Sequence, residues 1–283
     1  MLQEEYIAVH DLSLCYQQWG ERPNIILVHG WLDQCASWDI VCTNLLNAGL
    51  SSIAYDHRGH GKSDHIAHSA HYHFPDYVYD LLFLHEHLVS LNTPIIIIGH
   101  SMGGTVASLY ASLFPKHVQK LILIEGLGPR DESPQKAKER YKKHLEQRRK
   151  AKQHSIFSTR EEAAKRLQKH HPYLSIDKAY QLACRILKPH YDGWIWTFDP
   201  RHKERSAISF SQERHEVILS TIQAPCYLIF GKKSPYLQWI NVRKRSELIP
   251  THKKTYYIDG GHSPHLSHPN LLSRILIQDC IQG

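Results

Sequence analysis

Short, wholly apolar segments alternate with helical segments through the first half of this 283-residue chain, and this alternation limits the possible folds more than any other feature. The apolar segments have the length and composition of strands that are buried on both faces, and they are Asn24–Val28, Ser51–Tyr55, Pro94–Ile98 and Val118–Ile124. Segments with helical periodicity follow three of them: Ser37–Leu46, Asp76–Leu91 and Ser101–Phe114. Strands joined by crossover helices form a parallel sheet. The sequence therefore predicts a doubly wound α/β architecture.

The alternation stops after Gly126. From Ser133 to about Leu187 the pattern is helical, and the strand pattern resumes only at Ala224–Phe230 and Lys254–Ile258. We interpret residues 127–221 as a helical cap, inserted after the sixth strand. Residues 1–126 and 222–283 would then form the core domain, with Leu266–Ile281 as its last helix.

Composition indicates an ordinary globular protein, since 42 % of the residues are hydrophobic and 22 % are charged. No apolar run approaches the roughly 18 residues that span a bilayer, so no integral membrane segment is expected. Glu4 and Glu5 stand where a signal peptide would carry its basic residues. These features predict a cytoplasmic protein. They do not indicate an oligomeric state.

The net charge of +7 is concentrated in one segment. Residues 130–169 contain 14 basic and 6 acidic residues, a local charge of +8. Such a segment can bind nucleic acid or acidic lipid, but it is also typical of a solvated helical face. We favour the second interpretation and expect no nucleic-acid partner.

Neither the cysteines nor the histidines have the spacing of a metal site. The six cysteines are scattered and predict reduced thiols. His68, His71 and His73 lie close together in sequence but have no carboxylate beside them on a helical face. We therefore predict neither a metal nor a cofactor.

The strongest motif is Gly99-His100-Ser101-Met102-Gly103, which has the pattern G-x-S-x-G and lies between a buried strand and a helix. In that context the serine occupies a tight, strained turn and is exposed at the edge of the sheet. The following helix directs its positive N-terminus towards negative charge that develops beside the serine. Ser101 is therefore a candidate nucleophile.

A serine nucleophile needs a base and two donors for an oxyanion. His262 follows the last strand in Gly260-Gly261-His262, where a loop can return an imidazole to the sheet edge, and it is the predicted base. The predicted oxyanion donors are the backbone N–H groups of Met102 and of Trp31, in the loop after an early strand. His265 lies further along the last loop and is expected to be structural.

Four motifs together resemble the α/β-hydrolase superfamily across nearly the whole chain: His29-Gly30, Asp56-x-Arg58-Gly59-His60-Gly61-x-Ser63, Gly99–Gly104 and Gly260–His262. The segment Ile124–Pro129 and the later Asp192–Trp196 and Asp199–Arg201 are similar to the serine hydrolase-like branch. This resemblance implies an α/β-hydrolase fold and a catalytic triad in the order serine, acid, histidine.

The resemblance leaves the acid open. Many members carry an aspartate after the seventh strand, but this chain has Ser234 there, in Gly231-Lys232-Lys233-Ser234. Other members carry the acid after the sixth strand, and Glu125 is the carboxylate at that position, so we assign it as the triad acid. The competing interpretation is that Glu125 pairs with Arg58 or with a cation of the cap. Asp259 is a poorer candidate, and Asp56 is expected to organise its own loop.

These predictions describe a serine hydrolase that cleaves a carboxylic ester or thioester of a small to medium substrate. Substrate contacts are expected from His100 and from two aromatic residues of the cap, Trp194 and Trp196, although the two tryptophans could equally form a small core of the cap. Two alternatives stay open: a non-catalytic binding or regulatory protein on the same fold, and a lyase or cofactor-free oxygenase that uses the same serine and histidine.

Overall fold

The computed structural model describes residues 4–129, 132–150 and 152–283. Arg130, the first residue of the basic segment, lies outside them. The strands are β1 (Glu4–Val9), β2 (Leu12–Trp19), β3 (Ile25–Val28), β4 (Ser52–Tyr55), β5 (Ile95–His100), β6 (Val118–Ile124), β7 (Leu187–His190), β8 (Gly193–Trp196), β9 (Cys226–Gly231) and β10 (His252–Ile258). The helices are α1 (Asp39–Asn47), α2 (Phe74–Leu84), α3 (Met102–Leu113), α4 (Ala137–Arg149), α5 (Arg160–His170), α6 (Ile176–Ile186), α7 (Gln212–Ser220), α8 (Tyr236–Trp239), α9 (Val242–Glu247), α10 (Pro264–Ser267) and α11 (Pro269–Ile275).

Eight strands form one sheet in the order β1-β2-β4-β3-β5-β6-β9-β10. Strand β2 runs antiparallel to both of its neighbours, and all the other pairings are parallel. Strands β3 and β5 are buried along their whole length, because helices cover both faces of the sheet. The predicted α/β-hydrolase fold with a mostly parallel, doubly wound sheet is confirmed.

The two faces of the sheet bury separate hydrophobic clusters. Val106, Tyr110 and Leu81 belong to the cluster that contains residues of α2 and α3. Trp38, Val41 and Leu272 belong to the cluster that contains residues of α1 and α11. This packing fixes the carboxyl ends of β3, β5 and β6 side by side, and in such sheets ligands bind at that edge.

Between β6 and β9 the chain forms α4–α7 and a small antiparallel sheet of β7 and β8. The sequence had predicted helices here, and it missed the pairing of Leu187–His190 with Gly193–Trp196. The segment has its own hydrophobic cluster, which includes Phe157, Ala163 and Trp196. Its assignment as a separate cap of residues 127–221 stays a prediction. Within the described ranges, no helix is long and apolar enough to cross a membrane.

Candidate active site

Ser101 lies in a strained turn between β5 and α3. Its backbone has φ 52° and ψ −114°, a conformation that is rare for a residue with a β-carbon. The backbone N–H of Ser101 donates to the carbonyl of Ile124, which ties the turn to β6. Glycine occupies positions 103 and 104 because the neighbouring backbone leaves no room for a side chain. A β-carbon on Gly103 would lie 2.2 Å from the Val28 carbonyl oxygen, and one on Gly104 would lie 2.5 Å from Gly126 Cα.

The loop after β10 brings His262 to this serine. Its Nε2 lies 2.9 Å from Ser101 Oγ, and its Nδ1 lies 3.0 Å from Glu125 Oε2. The His262 carbonyl oxygen lies 2.8 Å from His100 Nε2, so the loop is also held from the end of β5. The structure therefore brings together the three side chains that the sequence predicted as nucleophile, base and acid.

Glu125 is fully buried directly after β6, with a positive φ of 54°. Its Oε1 accepts a hydrogen bond from the Gly231 backbone N–H at 2.6 Å. Its Oε2 accepts one from the Ser234 hydroxyl at 2.6 Å, beside the contact with His262. Ser234 stands where many related chains carry the acid, and in this chain it supports the acid that comes from β6.

Arg58 and the other candidate carboxylates take part in interactions that involve neither Glu125 nor His262. Arg58 pairs with the buried Asp80 at 2.6 Å, and Glu125 has no cation beside it among the ion pairs of the described residues. Asp259 forms an exposed pair with Lys233. Asp56 accepts hydrogen bonds from the backbone N–H groups of Cys35 and Lys62, so it organises its own loop.

Replacing Ser234 with Ala should lower the free energy of unfolding by about 1.5–3 kcal/mol, since it removes a buried hydrogen bond to a carboxylate. Urea unfolding at pH 7.5 measures the change. The control is Ser112→Ala, which removes an exposed hydroxyl that contacts Thr221 and should change stability by no more than about 0.5 kcal/mol. Equal effects of the two substitutions would show that Ser234 contributes no more than a surface hydroxyl.

The predicted oxyanion residues border Ser101. Met102 is the first residue of α3, where backbone N–H groups have no partner within the helix. Trp31 follows Gly30, and a β-carbon built on Gly30 would lie 3.2 Å from Ser101 Cβ. The Trp31 indole is half exposed and donates to the His202 carbonyl oxygen at 3.1 Å, which connects this loop to the segment between β6 and β9.

The three predicted substrate-contact residues do not line a cavity beside Ser101. Trp196 is buried against Phe157, with ring centroids 4.9 Å apart, and the Arg160 guanidinium lies 4.1 Å from the Trp194 ring. The two tryptophans therefore belong to the internal packing of their segment, which is the alternative that the sequence left open. His100 is buried and faces the carbonyl of His262.

Two cavities flank the site. The first, which we call the Met102 cavity, has a volume of about 240 Å³, and its lining includes Met102, Tyr72, Phe74, Tyr77, His202 and Ile208. The second, the His262 cavity, has a volume of about 310 Å³, and its lining includes His262, Tyr173, Leu174, Pro235, Leu266 and Lys233. Residues 152–220 contribute to both cavities, and residues 132–150 contribute to the Met102 cavity.

Sequence reasoning missed the aromatic side of the Met102 cavity. The His202 ring lies against Tyr72 at 3.8 Å and against His60 at 3.9 Å. Burial lowers the pKa of His202 to about 3, so the ring is neutral at pH 7. The Tyr72 hydroxyl donates to Asp199 at 2.8 Å. The only sequence signal was the density of histidines and aromatic residues in residues 65–74, which has no defined motif.

Comparison with known proteins agrees with this fold. The family described as "alpha/beta hydrolase fold" matches residues 23–269. A "Serine hydrolase-like protein" of Danio rerio is 27 % identical over 278 residues, which cover 92 % of this chain and 82 % of that protein. A "Bifunctional esterase/perhydrolase" of Acinetobacter calcoaceticus is 30 % identical over 128 residues, 44 % of this chain and 45 % of that protein.

Among solved structures, the "Thioesterase Domain From Curacin Biosynthetic Pathway" superposes with a TM-score of 0.87 at 27 % identity, covering 98 % of this chain and 99 % of that one. The similarity thus extends over the whole sheet and the segment inserted in it. This chain belongs to the α/β-hydrolase fold family, and it is similar to the serine hydrolase-like proteins of that family.

Proposed function

We propose that this protein is a serine hydrolase that cleaves carboxylic esters or thioesters through an acyl-enzyme on Ser101. The observation that carries the proposal is the continuous contact from Glu125 through His262 to Ser101, with separations of 3.0 and 2.9 Å. A serine hydroxyl is a weak nucleophile unless a base accepts its proton, and an orienting carboxylate keeps that base in the correct tautomer.

The proton path follows from the acceptors around Glu125. Its Oε2 faces His262 Nδ1, so Nδ1 carries the hydrogen and Nε2 offers its lone pair to the Ser101 hydroxyl. Ser101 attacks the substrate carbonyl carbon while His262 takes the hydroxyl proton. The imidazolium then protonates the departing alcohol or thiol. Water repeats the sequence on the acyl-enzyme and releases the acid.

The tetrahedral oxyanion would bind the backbone N–H groups of Met102 and Trp31. Met102 supplies an N–H at the N-terminus of a twelve-residue helix, where the helix dipole also favours negative charge. The loop of Trp31 passes next to the serine at Gly30, and its anchorage to His202 supports a fixed position for the second donor.

The two cavities support a division of the substrate. Because His262 protonates the leaving group, the leaving group belongs on the side of the His262 cavity. The acyl group then occupies the Met102 cavity, beside the oxyanion donors. Both volumes are at or below the small end of ligand pockets, which favours short acyl chains. We further propose that residues 127–221 act as a cap, since they contribute to the lining of both cavities.

The relatives support an ester or thioester as the scissile bond, because they include a protein named for esterase activity and a thioesterase domain. An amide is the less favourable substrate, since an alcohol or a thiol is expelled more readily than an amine.

A fluorophosphonate should label the protein at one site, Ser101, and abolish its hydrolysis of p-nitrophenyl esters in proportion to the label incorporated. Mass spectrometry of the labelled peptide identifies the site, and Ser101→Ala should take up no label. The control Ser112→Ala should be labelled like the unaltered protein. We also expect faster hydrolysis of the butyrate than of the palmitate. No labelling and no turnover would instead favour a non-catalytic binding protein.

A further inference from the structure

Three ligand-type side chains meet beside the base loop and have no part in the proposed proton path. Asp33 lies in the loop after β3, His100 ends β5, and His265 lies in α10, three residues after His262. One ring nitrogen of each histidine and one oxygen of Asp33 lie within 4.8 Å of one another. Both histidines are buried, with 4 % and 1 % of their surface exposed.

The ring nitrogens of these histidines are incompletely satisfied. His100 Nε2 faces the carbonyl oxygen of His262 at 2.8 Å and therefore carries the hydrogen, which leaves a lone pair on Nδ1. That Nδ1, like the Nδ1 of His265, is buried without a hydrogen-bond partner in the part of the chain that the structure describes. Buried polar atoms normally have partners, and a ligand bound at this cluster would supply one to His100 Nδ1.

The arrangement matches what a metal ligand set needs. A histidine that binds a metal through one nitrogen usually donates its other N–H to a carbonyl or carboxylate, as His100 does. Asp33 Oδ2 and His265 Nε2 are 3.2 Å apart. Two ligands of one tetrahedral zinc ion, each bonded at about 2.0–2.1 Å, are separated by about 3.3 Å. A tautomer change at His265 would present the Nε2 lone pair.

We propose that Asp33, His100 and His265 bind one divalent transition-metal ion of the Zn²⁺ class. Two imidazoles and one carboxylate are a ligand set for zinc and its neighbours, whereas Mg²⁺ and Ca²⁺ prefer oxygen ligands throughout. Three protein ligands leave a fourth position for water. Burial lowers the pKa of His100, which keeps its lone pair available at neutral pH.

A cation at this cluster would lie next to the base. The rings of His100 and His262 are 5.0 Å apart, and those of His100 and His265 are 4.3 Å apart. His100 donates to the His262 carbonyl oxygen at 2.8 Å, so a metal that draws the His100 ring towards Asp33 and His265 would move the base loop away from Ser101. The metal therefore acts as a reversible inhibitor, and this part of the inference rests on the proposed function. We expect saturating Zn²⁺ to lower kcat/KM at least tenfold, reversibly with a chelator.

Calorimetric titration of chelator-treated protein with ZnCl₂ tests the site without using activity. One equivalent should bind and raise the Tm, and Asp33→Asn and His265→Gln should each abolish that binding. The control is His73→Gln, because His71, His73 and His144 form another histidine group, with ring centroids 6.1 and 5.1 Å apart, that could take up zinc. Loss of binding in His73→Gln and its retention in Asp33→Asn would overturn the proposal.

The test does not depend on the folding of the variants. If the unaltered protein binds no Zn²⁺ at a concentration of about 100 µM, the proposal fails, whatever the variants do. Visible absorption of the Co²⁺-loaded protein gives a second readout, since four-coordinate Co²⁺ absorbs far more strongly than the aqueous ion. If the protein binds one equivalent of Zn²⁺ but hydrolyses no ester, the proposed metal site stands and the proposed hydrolase function is wrong. Binding without inhibition of an active enzyme would overturn the inhibitory role.

Discussion

Replacing Glu125 with Gln should lower kcat/KM for a p-nitrophenyl ester about 10⁴-fold, the loss that a wrong histidine tautomer causes in a serine protease triad. The reason lies in the donors that surround the carboxylate. The Gly231 backbone N–H points at Oε1 and cannot be reversed. The amide oxygen of the new glutamine must therefore take that position, and its NH₂ group must take the place of Oε2.

The misplaced NH₂ group would then face Ser234 and His262. A serine hydroxyl can rotate and accept, so Ser234 adapts. His262 can accept only if its hydrogen moves from Nδ1 to Nε2, and an Nε2–H donates to Ser101 instead of taking its proton. The side chain keeps its shape while the base loses its function.

The matched control for this experiment is Asp259→Asn. Asp259 is the other carboxylate close to His262 in sequence, but it lies on the surface and pairs with Lys233. Its substitution should leave kcat/KM within about twofold, since an exposed pair contributes little. Circular dichroism and Tm must show that the Glu125→Gln protein is folded. A loss smaller than tenfold in a folded variant would exclude Glu125 as the triad acid.

Fold and site differ in how far the sequence determines them. The buried strands and the Ser101 turn follow from local composition. A wholly apolar segment is stable only when it is buried, and a turn with no room for side chains needs glycine. Glu125 could be assigned only by resemblance, since its role depends on Gly231 and Ser234, more than a hundred residues away. Nothing in the local sequence of Ser234 indicates that it would donate to a carboxylate of another strand.

Trp194 and Trp196 show where composition alone cannot decide between two roles. Trp194 and Trp196 have the composition of a substrate pocket, but the same composition serves a small hydrophobic core. Their pairing with the strand at Leu187–His190 turns Trp196 towards Phe157. The lining of a cavity depends on how segments distant in sequence pack together. No motif in the sequence therefore identified Tyr72 and Tyr173 as cavity residues.

Acidification should unfold this protein well above the pH at which most carboxylates titrate. Six histidines of the described residues are buried and have pKa values lowered by that burial: His29, His57, His60, His85, His100 and His215, the last to about 4. In the unfolded chain each has a pKa of about 6.5 and takes up a proton that the folded state refuses. Stability is therefore lost as the pH falls from about 6.5 towards the folded-state pKa values.

The loss is about 1 kcal/mol for each of these histidines between pH 7 and pH 5.5, or about 6 kcal/mol together, against a total stability of about 5–15 kcal/mol. Asp56 and Asp80, whose pKa values are raised by burial, act in the opposite direction, because the folded state binds their protons more tightly than the unfolded chain does. We expect the urea midpoint to fall steeply between pH 7 and pH 5.5, which a titration series of urea unfolding curves measures directly.

A substitution separates the histidines from any general effect of acid. His57 packs edge-on to Tyr55 and Tyr77, so His57→Phe keeps a ring in the same place and removes one titrating group. It should reduce the stability lost between pH 7 and pH 5.5 by about 1 kcal/mol, the share of one histidine. The exposed His68, replaced by Gln, should leave the slope unchanged. An unchanged slope in His57→Phe would locate the acid sensitivity elsewhere.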